Sequence, residues 1–161
     1  MTQAKGEGGE GGEGAGSREG GGTVRAVGLP IQITFDCCDA DRMAEFWALA
    51  LDYTLQPPPS GFDTWEAFLD ANDIPRPDPG SISAVVDPEE KGPRVLFLRV
   101  PEDKVAKNRV HLDVEVIDDD AKLAKVRQLV EAGATEIGRV DEHGGWWVVM
   151  LDPEGNEFCV I

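Results

Sequence analysis

The chain has 161 residues and a net charge of -16, with 31 acidic against 15 basic side chains. Ten of its nineteen glycines fall within residues 6–22, so about 139 residues remain for folding, the usual size of one domain. A surface so acidic repels phosphate backbones and anionic lipid, which excludes nucleic-acid and membrane partners from the expectation.

Residues 1–23 are expected to form a disordered tail. Between the glycines stand only Glu7, Glu10, Glu13, Glu19, Ala15, Ser17 and Arg18, which bury too little surface to offset chain entropy. The tail lacks the apolar core of a secretory signal, and no Gly-Lys-Ser/Thr follows its glycines as a phosphate loop requires. No apolar run approaches the ~18 residues of a membrane span. Cys37, Cys38 and Cys159 are an odd number with no paired framework. Together these features imply a reducing, cytoplasmic location.

From Ile31 to Cys38 the chain alternates, with Ile33, Phe35 and Cys37 on one face and Gln32, Thr34, Asp36 and Cys38 on the other, as in a strand. Asp39 then caps a helix whose apolar stripe is Met43, Phe46, Trp47, Ala50 and Leu51. A short strand at Tyr53–Gln56 stops at three prolines. Asp63 and Glu66 have capping-box spacing and predict a short helix over 63–72 with Trp65, Phe68 and Leu69 on one side. Strands follow at Ile82–Val86 and Val95–Val100, separated by an Asp87-Pro88-Glu89 turn.

The pattern then restarts. Val110–Val116 alternates, placing His111, Asp113 and Glu115 on its polar face. An acidic helix start at Asp118–Asp120 leads through Leu123, Val126 and Val130 to a C-cap glycine, Gly133. Strands at Thr135–Val140, Trp146–Leu151 and Glu157–Ile161 close the copy, with Asp152-Pro153-Glu154-Gly155 turning between the last two. Strand parity directs Trp147 and Val149 to the same face as Cys159. The expected fold is therefore α+β: two βαβββ modules, residues 28–101 and 108–161, in one domain over 28–161.

The segments QITFDCCDADRMAEFWALAL, VHLDVEV and WVVMLDPEGNEFCVI resemble the glyoxalase-like families of the vicinal oxygen chelate superfamily. The resemblance implies a strongly curved mixed sheet around a cleft that takes a small molecule. In metal-dependent members the first and fourth strand of each module supply one ligand each. Those positions here hold Gln32 (or Thr34, if the register slips by two), then Leu96 or Leu98, then His111, then Cys159. Leucine cannot ligate a metal, so the usual metal is not expected. The alternative is a divalent ion such as zinc on Gln32, His111 and Cys159.

The cleft-facing candidates are Gln32, Thr34, Asp36, His111, Trp147, Val149 and Cys159. His111, Asp113 and Glu115 are the candidates for acid–base work, because carboxylates crowded beside a histidine perturb its proton affinity. Three functions remain open at this point: a metal-free small-molecule binder, a metal-dependent lyase, isomerase or dioxygenase, and a non-enzymatic dimeric scaffold. Proteins of this resemblance often pair modules across a homodimer.

Overall fold

The computed structural model describes residues 29–142 and 144–161; the expected tail over 1–23 and His143 lie outside the described residues. Module one contains β1 (Gln32–Cys37), α1 (Ala40–Leu51), β2 (Thr54–Leu55), α2 (Trp65–Ala71), β3 (Ile82–Val86) and β4 (Arg94–Arg99). Module two contains β5 (Asp113–Val114), α3 (Asp119–Glu131), β6 (Thr135–Glu142), β7 (Gly145–Leu151) and β8 (Glu157–Val160).

Each module forms one curved, four-stranded mixed sheet that does not close into a barrel. The orders are β1-β4-β3-β2 and β5-β8-β7-β6, so the two copies share one topology. The first strand of each lies parallel to the fourth, and the other neighbours are antiparallel. The crossover that parallel pairing requires is supplied by α1 and by α3.

The helices begin and end where the side chains direct. Asp39 accepts from the backbone N–H of Asp41 and Arg42 and caps α1; Asp118 accepts from Ala121 and caps α3. Gly133 follows α3 with φ +105, the left-handed conformation expected of that glycine. The cap of α2 differs from the capping-box reading. Thr64, not Asp63, accepts from the Ala67 N–H. The nearer hydroxyl wins because Thr64 sits one residue before the first helical position.

The apolar stripe of α1 makes the shared core. Met43, Phe46, Trp47 and Ala50 are buried, and Trp47 touches Phe35, Phe46 and Phe158 with ring centroids 5.1, 5.7 and 5.2 Å away. A helix of module one thus packs on a strand of module two. Burial of this kind is what holds two small modules as one domain.

The two Asp-Pro-Glu turns share an internal pattern, the aspartate accepting from the amides two and four residues on. Asp87 accepts from the N–H of Glu89, Lys91 and Gly92 at 2.8, 3.0 and 2.8 Å. Asp152 accepts from the N–H of Glu154 and Asn156 at 3.0 and 2.8 Å. An aspartate that gathers the following amides lets the chain reverse without stranding its donors. The second turn also reaches across modules: Glu154 accepts from the N–H of Cys38 and Asp39, and Asp152 from the Trp47 indole.

The strand expected over Val110–Val116 is shorter in the structure. Only Asp113–Val114 pairs as β5, although Cys159 N–H still donates to the Leu112 carbonyl and Val116 N–H to that of Ile161. Val110 is 80% exposed and Ile117 94%, so neither end has a sheet to join. Upstream of β5 the Glu157 carboxylate accepts from the Asn108 N–H, two residues before the expected strand.

Candidate functional site

Strand pairing decides which side chains share the face turned away from the helices. In module one, Gln32, Thr34 and Asp36 of β1 pair with Arg94, Leu96 and Leu98 of β4. Their odd-numbered neighbours Phe35, Cys37, Val95 and Phe97 pack into the core beneath α1. In module two, Cys159 of β8 pairs with Asp113 on one side and Val149 on the other. Trp147 lies two residues from Val149 and so shares its face, whereas Trp146 turns to the helix side, held between Lys122 and Arg139 at 4.1 and 4.0 Å.

His111 and Asp113 come together with Cys159. The His111 Nε2 lies 3.3 Å from Asp113 Oδ1, and the three ligand atoms lie within 4.8 Å of one another. His111 and Asp113 are about half exposed, while Cys159 is 7% exposed. Burial, then the Asp113 carboxylate, push the Cys159 thiol up to about 11. At neutral pH the thiol therefore keeps its proton and is no nucleophile. Glu115 stands apart from this group: past the two paired residues of β5 it lines a cavity with Ala121, Ala124 and Lys125 of α3.

Gln32 is held differently. Its amide oxygen accepts from Arg94 NH1, and its amide nitrogen donates to Thr34 Oγ1 at 3.3 Å. Arg94 Nε donates to Gln56 Oε1 at 2.7 Å. A strand expected to begin at Val95 leaves Arg94 outside it. The available signal is parity, because Arg94 precedes Leu96 and Leu98 at even spacing on the same face.

Glu157 is a second residue that the sequence pattern does not single out. Its carboxylate accepts from the Asn108 N–H at 2.9 Å and faces Lys104 Nζ at 3.2 Å. The Asn108 amide, first, holds its pKa down to about 2, aided by Lys104. A lowered carboxylate contributes stability that is fully present above its unfolded value near 4.5 and is lost as pH falls through about 2. Glu157→Gln is expected to abolish that part of the acid transition and to deprotect the Asn108 amide. Side-chain carboxyl NMR titration and hydrogen exchange measure the two effects. A Glu157 titrating near 4.5 would contradict the assignment.

The residues present do not fit the four-ligand metal that the resemblance implies for metal-dependent members. The β4 position is leucine, and the one oxygen that Gln32 offers is occupied by a guanidinium, which brings positive charge to the place of a cation. What remains among the described residues is a three-donor group, His111, Asp113 and Cys159, confined to module two. It would ligate only after the thiol gave up its proton. The cavity beside α3 and a second one of about 480 Å³ beside Arg94 are both lined by other side chains.

The model of the glyoxalase-like domain family matches residues 32–161. No curated protein sequence matches significantly. Among solved structures, the chain is similar to a glyoxalase/bleomycin resistance protein/dioxygenase family enzyme from Burkholderia phytofirmans, with a TM-score of 0.57 and 16% identity over 80% of this chain and 94% of that one. It is also similar to the fosfomycin resistance protein FosX of Mesorhizobium loti, with a TM-score of 0.55 and 13% identity over 84% and 91%. FosX of Listeria monocytogenes has a TM-score of 0.57 at 9% identity, over 84% and 93%. At these identities the likeness speaks for the fold alone. Among the described residues no helix is long and apolar enough to cross a membrane.

Proposed function

Because the chain belongs to the glyoxalase-like domain family, we propose that it binds a small molecule on the open face of its sheets without the four-ligand metal of that fold's metal-dependent members. The observation that carries this reading is the Arg94 guanidinium on the Gln32 amide oxygen, with leucines at the next same-face positions of β4. Thr34, Asp36, Trp147 and Val149 supply the mixture of apolar wall and polar groups that orients a small ligand. His111, steadied by Asp113, is the group on this face suited to carry a proton if a bound ligand reacts.

A fragment screen followed by amide NMR in EDTA tests the proposal. Shifts clustered at Thr34, Trp147 and Val149, unchanged by the chelator, are expected. Binding that arises only after a divalent ion is added would contradict it.

A second reading rests on the closeness of His111, Asp113 and Cys159. Two borderline-soft donors and a carboxylate are the donor types of a zinc centre with an open position. This reading replaces the Gln32, His111 and Cys159 set with one lying wholly in module two. Titration with cobalt(II) separates the readings. A thiolate-to-metal absorption band that disappears in Cys159→Ser supports the zinc centre, and no band at stoichiometric cobalt supports the metal-free reading.

A further inference from the structure

Arg94 differs from three other arginines of this chain. Arg76, Arg99 and Arg139 each donate to an aspartate, Asp70, Asp78 and Asp141. Arg94 instead donates to two neutral amides, Gln56 through Nε and Gln32 through NH1. The chain has 31 acidic side chains to 15 basic ones, yet the partners of this guanidinium among the described residues are both uncharged. The two amides fix its plane while leaving its charge unneutralised, and NH2 donates to neither of them.

The same guanidinium lines a cavity of about 480 Å³ with Thr54, Gln56, Pro57, Val86 and Pro88. That volume lies in the ~300–1,000 Å³ range of small-ligand sites. Two acids also border the cavity. The Asp87 carboxylate is consumed by the amides of its own turn, which hold its pKa below the usual carboxylate value. Glu90 is an exposed residue of the same turn. Among the described residues that line the cavity, Arg94 is the one cation, flanked by apolar Val86, Pro57 and Pro88.

We propose that this cavity is a binding site for an oxyanion with an apolar body, a carboxylate or a phosphate ester, whose charged end pairs with Arg94. A planar guanidinium held by neutral partners offers its free N–H groups in a fixed fork, the arrangement that recognises carboxylate and phosphate oxygens. Gln32 and Gln56 act as positioning residues, since they hold Arg94 rather than the ligand. The inference deepens the metal-free reading, and rests on it in requiring Gln32 to hold Arg94 and not a metal.

The test is amide NMR titration of the full chain with benzoate, phenyl phosphate and the neutral isostere benzamide. Benzoate or phenyl phosphate is expected to shift Thr54, Val86 and Gly92, with benzamide at least about tenfold weaker. The stronger of the two anions identifies the ligand's headgroup. Arg94→Gln should weaken the anions at least about tenfold and leave benzamide unchanged. If that variant does not fold, Arg94→Lys decides, because it keeps the charge and loses the fork, so affinity should fall several-fold.

Equal affinity for benzamide and benzoate, unchanged anion affinity in the folded variant, or shifts confined to His111, Asp113 and Cys159 would each overturn the proposal. A metal found on His111 and Cys159 would sink the metal-free reading while leaving the anion titration to stand on its own result. A failed titration on metal-free protein would sink this inference alone.

Discussion

Trp47→Ala is expected to destabilise the fold by about 4 kcal/mol, the largest loss expected of any single substitution in the shared core. Trp47 is 1% exposed and sits where the modules meet, its ring against Phe35 of β1, Phe46 of α1 and Phe158 of β8. Truncation loses the transfer energy of the indole and leaves a void that two sheets and a helix cannot close together, because each is fixed by its own hydrogen bonds. The aromatic contacts add a further ~0.5–1.5 kcal/mol per pair beyond burial. Urea unfolding monitored by circular dichroism measures the loss. A cost below about 1 kcal/mol would show that the modules do not depend on this ring.

Asp152→Ala is expected to cost about 3 kcal/mol, for a different reason. Asp152 is 3% exposed, and four donors converge on its carboxylate: the N–H of Glu154 and Asn156, the Asn156 side-chain amide and the Trp47 indole. Burial raises its pKa above the ordinary carboxylate value, and the hydrogen bonds from Asn156, Glu154 and Trp47 oppose that rise. Alanine leaves those donors buried without an acceptor, which is costlier than the bonds were favourable.

A raised carboxylate binds its proton more tightly in the folded state. Between the unfolded and folded pKa values its contribution therefore falls as pH rises, opposite in sign to that of Glu157. The comparison variant is Asp87→Ala in the other turn, whose carboxylate accepts from three backbone N–H groups on a wetter site and should lose less stability. Thermal unfolding of the two variants side by side checks the ranking. Equal losses would mean that burial of the second turn contributes nothing.

The doubled topology was legible because it rests on local patterns. Alternation in Ile33–Cys37, the stripe Met43–Phe46–Trp47–Ala50 and the two Asp-Pro turns each depend on residues a few positions apart, and all appear where the sequence placed them. The Asp-Pro-Glu spacing marked the place of both turns, though not the reach of Glu154 to Cys38, which spans 116 positions.

The site was less legible for the same reason. Gln32 read by itself is an amide able to ligate a metal. Only the β1–β4 register, bringing in Arg94 from 62 residues away, shows that its oxygen is occupied. His111, Asp113 and Glu115 share parity in an ideal strand. In the structure β5 pairs for two residues only, so Glu115 departs to the α3 side while Cys159 joins the other two.

Elemental analysis of the untagged protein, purified without chelator, tests the proposed metal-free reading most directly. Substoichiometric zinc, manganese, nickel and iron are expected, because a guanidinium and a leucine stand where two ligands would be needed. One divalent ion per chain that disappears in His111→Ala would contradict the metal-free account and place the chemistry on His111, Asp113 and Cys159.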